Sequence, residues 1–182
     1  KIIRGKNMRL DHIAYRVKNK EKAIEFFNNS LGYDIDPSLK DGFDIQFEDG
    51  TMAKCHVLLP PESKSTCRQR VFTGMFGIQA HAAPEIFVSE GSDNSIVKEW
   101  VDKNGPGIHH LAYEVESVEE MMNLWKLDGI EFTTEKPLKC PGLVQIFTKP
   151  HPVTGIIYEL IEREKYGFCK DNVKDLMNST KQ

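Results

Sequence analysis

The sequence predicts an α+β fold. It has two βαβββ modules that form a cupped, mixed β-sheet barrel around a metal site. Three observations predict it. A short segment recurs at an offset of 98 residues. Each copy passes from alternating to helical apolar periodicity. Each copy then breaks into short apolar runs of strand length.

The repeat sets Leu10-Asp11-His12-Ile13-Ala14-Tyr15-Arg16-Val17 against Ile108-His109-His110-Leu111-Ala112-Tyr113-Glu114-Val115. His12 falls on His110, Ala14 on Ala112, Tyr15 on Tyr113, Val17 on Val115 and, further on, Glu21 on Glu119. The match is short but includes the rarer residue types. Ile13, Tyr15 and Val17 share one face of the first strand, and Leu111, Tyr113 and Val115 share that of the second. Those faces suit packing under a helix, so His12 and His110 point the other way.

The helices follow directly. Ala23, Phe27 and Leu31 keep helical spacing up to a stop at Gly32. In the second copy Ser117 and Glu120 form a capping box, Val118, Met121, Met122 and Trp125 follow, and Gly129 ends the run. Strands are expected at 43–47, 53–59 and 84–88, then at 131–134, 143–148 and 156–161. Each module should give one curved four-stranded sheet. The first module covers 1–91, with a polar inserted loop at 60–79. A linker, 92–106, carries a helix at 95–103 with Ile96, Val97, Trp100 and Val101 on one side, stopped by Asn104-Gly105-Pro106. The second module covers 107–162. A tail, 163–182, holds a helix at 172–178 with Val173, Leu176 and Met177 on one stripe.

Composition bounds the function classes. The 182 residues suffice for one good-sized core or two small modules sharing one. A net charge of -3 without a basic cluster points away from nucleic acid and anionic membranes. No apolar run approaches the roughly 20 residues of a membrane helix. No signal peptide is visible from Lys1 onwards. Cys55, Cys67, Cys140 and Cys169 form no CxxC pair, which suits a reducing cytoplasm. The expected partner is a small molecule, and a homodimer is compatible.

Two equivalent histidines facing one way call for carboxylates on the last strand of each module. Glu85 in Pro84-Glu85-Ile86-Phe87-Val88 and Glu159 in Tyr158-Glu159-Leu160-Ile161 fit. A carboxylate in an apolar strand is costly to desolvate unless a cation, proton or hydrogen bonds meet it. His12, Glu85, His110 and Glu159 are therefore the expected metal ligands, with Glu159 and Glu85 also the candidate catalytic carboxylates. The mixed nitrogen and oxygen set suits Co, Ni, Mn, Zn or Fe(II) better than Ca or Mg. Four ligands on an octahedral ion leave two positions for water or substrate. His109, of opposite parity, reads as structural, and His151 as an exposed turn residue. His56 and His81 stay open. Arg16, Arg68 and Arg70 read first as solvated arginines, with anion binding as the alternative.

At these residues the chain resembles the vicinal oxygen chelate superfamily, which includes glyoxalase I, methylmalonyl-CoA epimerase and the extradiol and hydroxyphenylpyruvate dioxygenases. Leu10-Asp11-His12-Ile13-Ala14, Gly105-Pro106-Gly107-Ile108-His109-His110 and His151-Pro152-Val153-Thr154-Gly155 resemble the epimerase. Leu143-Val144-Gln145-Ile146-Phe147-Thr148-Lys149-Pro150, Tyr158-Glu159-Leu160-Ile161, Gly167-Phe168 and Asn172 resemble the end of 4-hydroxyphenylpyruvate dioxygenase. The resemblance implies His12, His110 and Glu159 as metal ligands in either case, and Glu85 as the fourth ligand of glyoxalases and epimerases. It implies Gln145 and Phe168 as substrate contacts of the dioxygenase type. The first expectation is an isomerase that stabilises an enolate or oxyanion beside a carbonyl. The second is an Fe(II) dioxygenase of an aromatic 2-oxo acid, and the third a metal-free binding protein on the same fold. Cys55 or His56 stands where the epimerase has a second glutamate, and His109 where the dioxygenase has glutamine before its second metal histidine. If the dioxygenase likeness is functional, the tail helix lies over the cavity mouth with Phe168 towards the metal.

Overall fold

In the computed structural model the described residues are 8–61, 72–74, 77–79, 83–164 and 168–180, with backbone alone for 72–74 and 77–79. His81, Cys67, Arg68, Arg70 and Gly167 fall outside them.

The first module opens with β1 (Arg9–Arg16) and α1 (Lys20–Leu31). The Asn19 side chain accepts from the Lys22 amide and starts the helix, and Gly32 at φ 73° ends it. That left-handed turn favours glycine. Then come β2 (Asp34–Ile35), β3 (Phe43–Gln46), β4 (Met52–Leu59), a small hairpin of β5 (Phe72–Gly74) and β6 (Gly77–Gln79), and β7 (Glu85–Gly91). The hairpin occupies part of the expected 60–79 loop. After α2 (Ile96–Asn104) the pattern returns: β8 (Gly107–Glu114), α3 (Val118–Leu127), β9 (Leu138–Cys140), β10 (Leu143–Phe147) and β11 (Ile157–Arg163). Ser117 caps α3 by accepting from the Glu120 amide. The chain closes with α4 (Lys170–Ser179).

The expected strand at 131–134 is only a single bridge, Phe132 to Thr148. The edge strand is β9, which pairs with β10 from Leu143↔Cys140 to Gln145↔Leu138. A tight turn through Gly142, at φ 80°, folds Leu138–Cys140 back onto its neighbour. The 131–134 segment still bonds beyond it, Thr133 N–H to Phe147 O and Lys149 N–H to Glu131 O, but as irregular edge.

The two modules do not keep separate sheets. β1 pairs antiparallel with β8, so nine strands join into one mixed sheet, ordered β2-β4-β7-β1-β8-β11-β10-β9, with β3 on β4. β7 runs parallel beside β1, and β11 parallel beside β8. The central pairing is reciprocal: His12 faces Ala112, and Ala14 faces His110. This is a pseudo-twofold relation between the copies.

Apolar residues sort to two faces, as the alternation requires. On the outer face, Phe27, Ala23 and Ile24 of α1 pack on Ile13, Tyr15, Val17, Leu58, Ile86 and Val88. Val118, Met122 and Trp125 of α3 pack on Val115, Val144, Ile146 and Leu160. On the inner face, α4 sets Val173 and Met177 against Ala14, Phe43, Val57 and Phe87, and Leu176 against Phe147 and Ile157. Among the described residues no helix is long and apolar enough to cross a membrane.

Candidate metal centre

The inner face holds a partly open cavity. β1 contributes His12, Ala14 and Arg16 to its wall, as every second residue of a strand must. β8 contributes His110 but also His109, which simple alternation would send outward.

The register explains this. Between Leu10↔Tyr113 and His12↔Ala112, β1 carries one extra residue, Asp11; between Ala14↔His110 and Tyr15↔Ile108, β8 carries His109. These are β-bulges, and the two positions are related by the same offset as His12 and His110, 98 residues. Each bulge places two consecutive side chains on the buried side: Asp11 and His12 are 4% and 2% exposed, His109 and His110 4% and 9%.

Three ligand atoms converge. His12 Nε2 lies 3.3 Å from His110 Nε2 and 3.3 Å from Glu159 Oε2, and His110 Nε2 lies 3.1 Å from Glu159 Oε2. Among the described residues these three form the one group able to hold an ion. The triangle fits a metal: ligands about 2.1 Å from one ion lie about 3.0 Å apart at right angles and about 3.4 Å apart in a tetrahedron.

Each ligand is held from behind. Asp11 Oδ2 lies 2.9 Å from His12 Nδ1, and Arg163 Nη2 donates to the same carboxylate at 2.8 Å. His109 Nδ1 lies 2.8 Å from His110 Nδ1. Gln145 Nε2 donates to Glu159 Oε1 at 2.6 Å, and Asn172 of α4 donates to Gln145 Oε1 at 3.1 Å. Orienting contacts of this kind fix the ring and carboxylate directions that a metal needs.

Electrostatics follow the geometry. Burial disfavours protonated His12, but Glu159 and Asp11 outweigh it and raise its pKa to about 9. Burial acts on Glu159 the other way, yet the two histidines hold it far below the usual carboxylate range. His110 is lowered by burial, partly offset by Glu159. His109 is lowered strongly by burial, Arg16 and His110. These shifts favour a charged His12–Glu159 pair and disfavour protonation of His110.

Glu85 is opposite His12 in register and shares the parity of Phe87 and Ser89, which line the cavity. Its carboxylate is not in the three-atom cluster. Burial raises its pKa, with Arg163 opposing. The pseudo-symmetry gives the reason it stands apart. Glu159 pairs beside Ala112, and the equivalent Ala14 pairs beside Phe87. Phe87, two residues on from Glu85, holds the position equivalent to Glu159.

Phe168 stands edge-on to His12, ring centres 5.2 Å apart, and 5.1 Å from Phe87. The Arg163 guanidinium lies 4.8 Å from its ring centre. Val173, Leu176 and Met177 of α4 complete the lining, so the tail helix covers the cavity. On β4, Cys55 packs into the inner core. His56, next along the strand, senses Lys20 and Glu21 at the start of α1. Neither lines the cavity. His151 is half-buried against Tyr158 rather than exposed.

Asp11 is a support of the centre that the sequence pattern does not single out, while His109, read as structural, and Asn172, read only through resemblance, have their partners shown by the structure. The adjacent pairs Asp11-His12 and His109-His110 carry the signal, but strict alternation hides it.

No curated protein matches the chain in sequence. Solved structures share its fold. Methylmalonyl-CoA epimerase from Mycobacterium tuberculosis aligns with a TM-score of 0.60 and 21% identity over 86% of this chain and 89% of that one. A triple mutant of 4-hydroxymandelate synthase from Streptomyces coelicolor aligns with a TM-score of 0.71 and 18% identity over 94% of this chain and 53% of that one. A single-residue variant of the Streptomyces coelicolor methylmalonyl-CoA epimerase, in complex with 2-nitronate-propionyl-CoA, gives 0.57 and 19% over 86% and 98%. A family profile matches residues 11–140. The chain belongs to the glyoxalase/bleomycin resistance protein/dioxygenase superfamily.

Proposed function

We propose that the chain is a mononuclear Fe(II) oxygenase acting on a 2-oxo acid, a broader form of the second expectation drawn from sequence, which named an aromatic one. One observation carries this reading above the isomerase: Phe87, not a carboxylate, stands at the pseudo-symmetric equivalent of Glu159. Two histidines and one carboxylate on one side of an ion, with the remaining positions open, are the donor set of non-haem Fe(II) oxygenases.

His12, His110 and Glu159 would hold the ion. Bound there, Fe(II) supplies Lewis acidity towards the substrate oxygens and redox chemistry towards dioxygen. Asp11 and His109 fix the two imidazoles. Gln145 fixes the carboxylate and, through Asn172, ties it to α4. Phe87, Phe147 and Phe168 give the cavity an apolar wall that excludes water from the reacting centre. Gln145 and Phe168 stand beside the ligands, which supports the substrate contacts inferred from resemblance. β4 carries no carboxylate into the cavity, so a two-base proton transfer lacks its second base there.

The isomerase reading retains one observation in its favour. Glu85, on the cavity face with a raised pKa, could move a proton. The test is oxygen consumption with phenylpyruvate by protein loaded with Fe(II), beside solvent proton exchange by protein loaded with Co, Ni, Mn or Zn. Uptake of oxygen only with iron supports the oxygenase. Metal-promoted exchange without oxygen uptake, lost in Glu85→Gln, overturns it in favour of the isomerase.

A further inference from the structure

Arg16 is the anomaly of the cavity. It is 2% exposed, and its side chain lines the same wall as His12 and Ala14. Nη2 donates to Thr180 Oγ1 at 3.2 Å. Nη1 is buried without a hydrogen-bond partner. Its guanidinium lies 5.7 Å from the Trp100 ring centre, a partial compensation. No carboxylate of the described residues forms an ion pair with it, although buried Arg163, on the same face, is paired with Asp11. The nearby groups on packed elements are the Ser89 hydroxyl, which donates to Tyr15 O at 3.2 Å, and His109, which burial and Arg16 itself keep neutral. Cys55, whose thiolate would favour the protonated arginine, is a thiol held neutral by burial.

A buried guanidinium without a counter-charge is destabilising, and an aromatic face and one hydroxyl do not repay its lost hydration. Proteins tolerate such a group where a ligand supplies the missing anion. The geometry here is specific. Arg16 follows His12 by four residues on one strand, so their Cα atoms are roughly 13 Å apart at the usual strand rise. One cavity is lined by Arg16 and by all three candidate ligands, His12, His110 and Glu159.

We propose that Arg16 is the anion anchor of the substrate site, and that the substrate is a 2-oxo acid bearing a second carboxylate at the end away from the metal. The 2-oxo acid part of this statement rests on the proposed function; the anchor does not. The second carboxylate accepts from Nη1, and the guanidinium fork suits planar carboxylate geometry. Ser89 and Trp100 flank it. A neutral or phenolic tail would leave the buried charge uncompensated, so it should bind more weakly.

The experiment uses matched ligand pairs and the full chain. With metal-loaded protein, calorimetry should show 2-oxoadipate binding at least about tenfold tighter than 2-oxohexanoate, and 4-carboxyphenylpyruvate likewise tighter than phenylpyruvate. Arg16→Met should abolish both preferences. With metal-free protein, hexanoate should bind in an Arg16-dependent manner and hexanol should not. Arg16→Met is expected to fold, because it removes an unpaired buried charge. Should it not, the unaltered protein still decides the matter, since its Tm should rise more with 2-oxoadipate than with 2-oxohexanoate. Equal binding within both pairs, or a preference that survives Arg16→Met, overturns the anchor. If metal-loaded protein binds no 2-oxo acid while Arg16-dependent hexanoate binding persists, the proposed function falls and the anchor stands.

Discussion

At the scale of residues, the centre depends on what stands behind each ligand. Asp11 is not a ligand, yet it holds His12 Nδ1 and is itself held by Arg163. Asp11→Asn keeps the shape and removes the charge, and metal affinity is predicted to fall about 10- to 100-fold with the fold intact. Metal titration followed by circular dichroism checks this. His110→Ala removes a ligand outright and should abolish metal binding with little loss of fold; unchanged metal content would refute the assignment. Titration of the metal-free protein gives a third prediction. His12 rises from 6.5 to about 9 on folding. A raised folded pKa contributes stability that is complete below 6.5 and lost as pH climbs through about 9. The Tm of metal-free protein should therefore fall between those values, and His12→Gln should flatten the slope. Metal uptake below pH 9 should release the His12 proton, visible as a buffer-dependent binding enthalpy. His12, His110 and Glu159 are legible in the sequence because two copies of one motif fix two of them and apolar strands flag the third. Asp11 and His109 are not, because a bulge changes parity without changing composition. Arg16 reads as a solvated arginine, since burial of a charge leaves no mark in one sequence.

At the scale of elements, α4 decides how closed the site is. Its apolar stripe of Val173, Leu176 and Met177 is legible from helical spacing. The structure adds that these three side chains line the cavity. Deleting the residues after Glu164 removes Phe168, the stripe and Asn172 together. The prediction is loss of turnover with metal retained, because the three candidate ligands lie on β1, β8 and β11. Unaltered turnover of the truncated protein would show that α4 is only packing. The edge of the second module is less legible. Leu138–Cys140 is short, follows Pro137 and carries Lys139, so its apolar signal is weak, whereas Glu131-Phe132-Thr133-Thr134 has the β-branched and aromatic residues of a strand. The hairpin through Gly142 favours the former, since it pairs the segment nearest β10 in sequence.

At the scale of the molecule, the fold is two copies of one unit joined along their first strands, and the duplication is legible from the repeat alone. The joining into one nine-stranded sheet is not, because strand-edge pairing depends on register. The seam is small-residue: Ala14 and Ala112 are 3% and 0% exposed and stand opposite the two ligand histidines. Ala112, packed with Leu143 and Ile161, has no room to grow. Ala112→Leu should destabilise the fold by about 1–3 kcal/mol and weaken metal binding, both readable in one denaturant series with and without metal. The central claim is that this seam presents three metal ligands and no fourth. Anomalous diffraction at the iron edge from Fe(II)-loaded crystals tests it most directly. The prediction is one site per chain, with His12 Nε2, His110 Nε2 and a Glu159 oxygen about 2.0–2.3 Å away and no other protein ligand. An ion that is also bound by Glu85, or one that sits out of reach of His110, would contradict it.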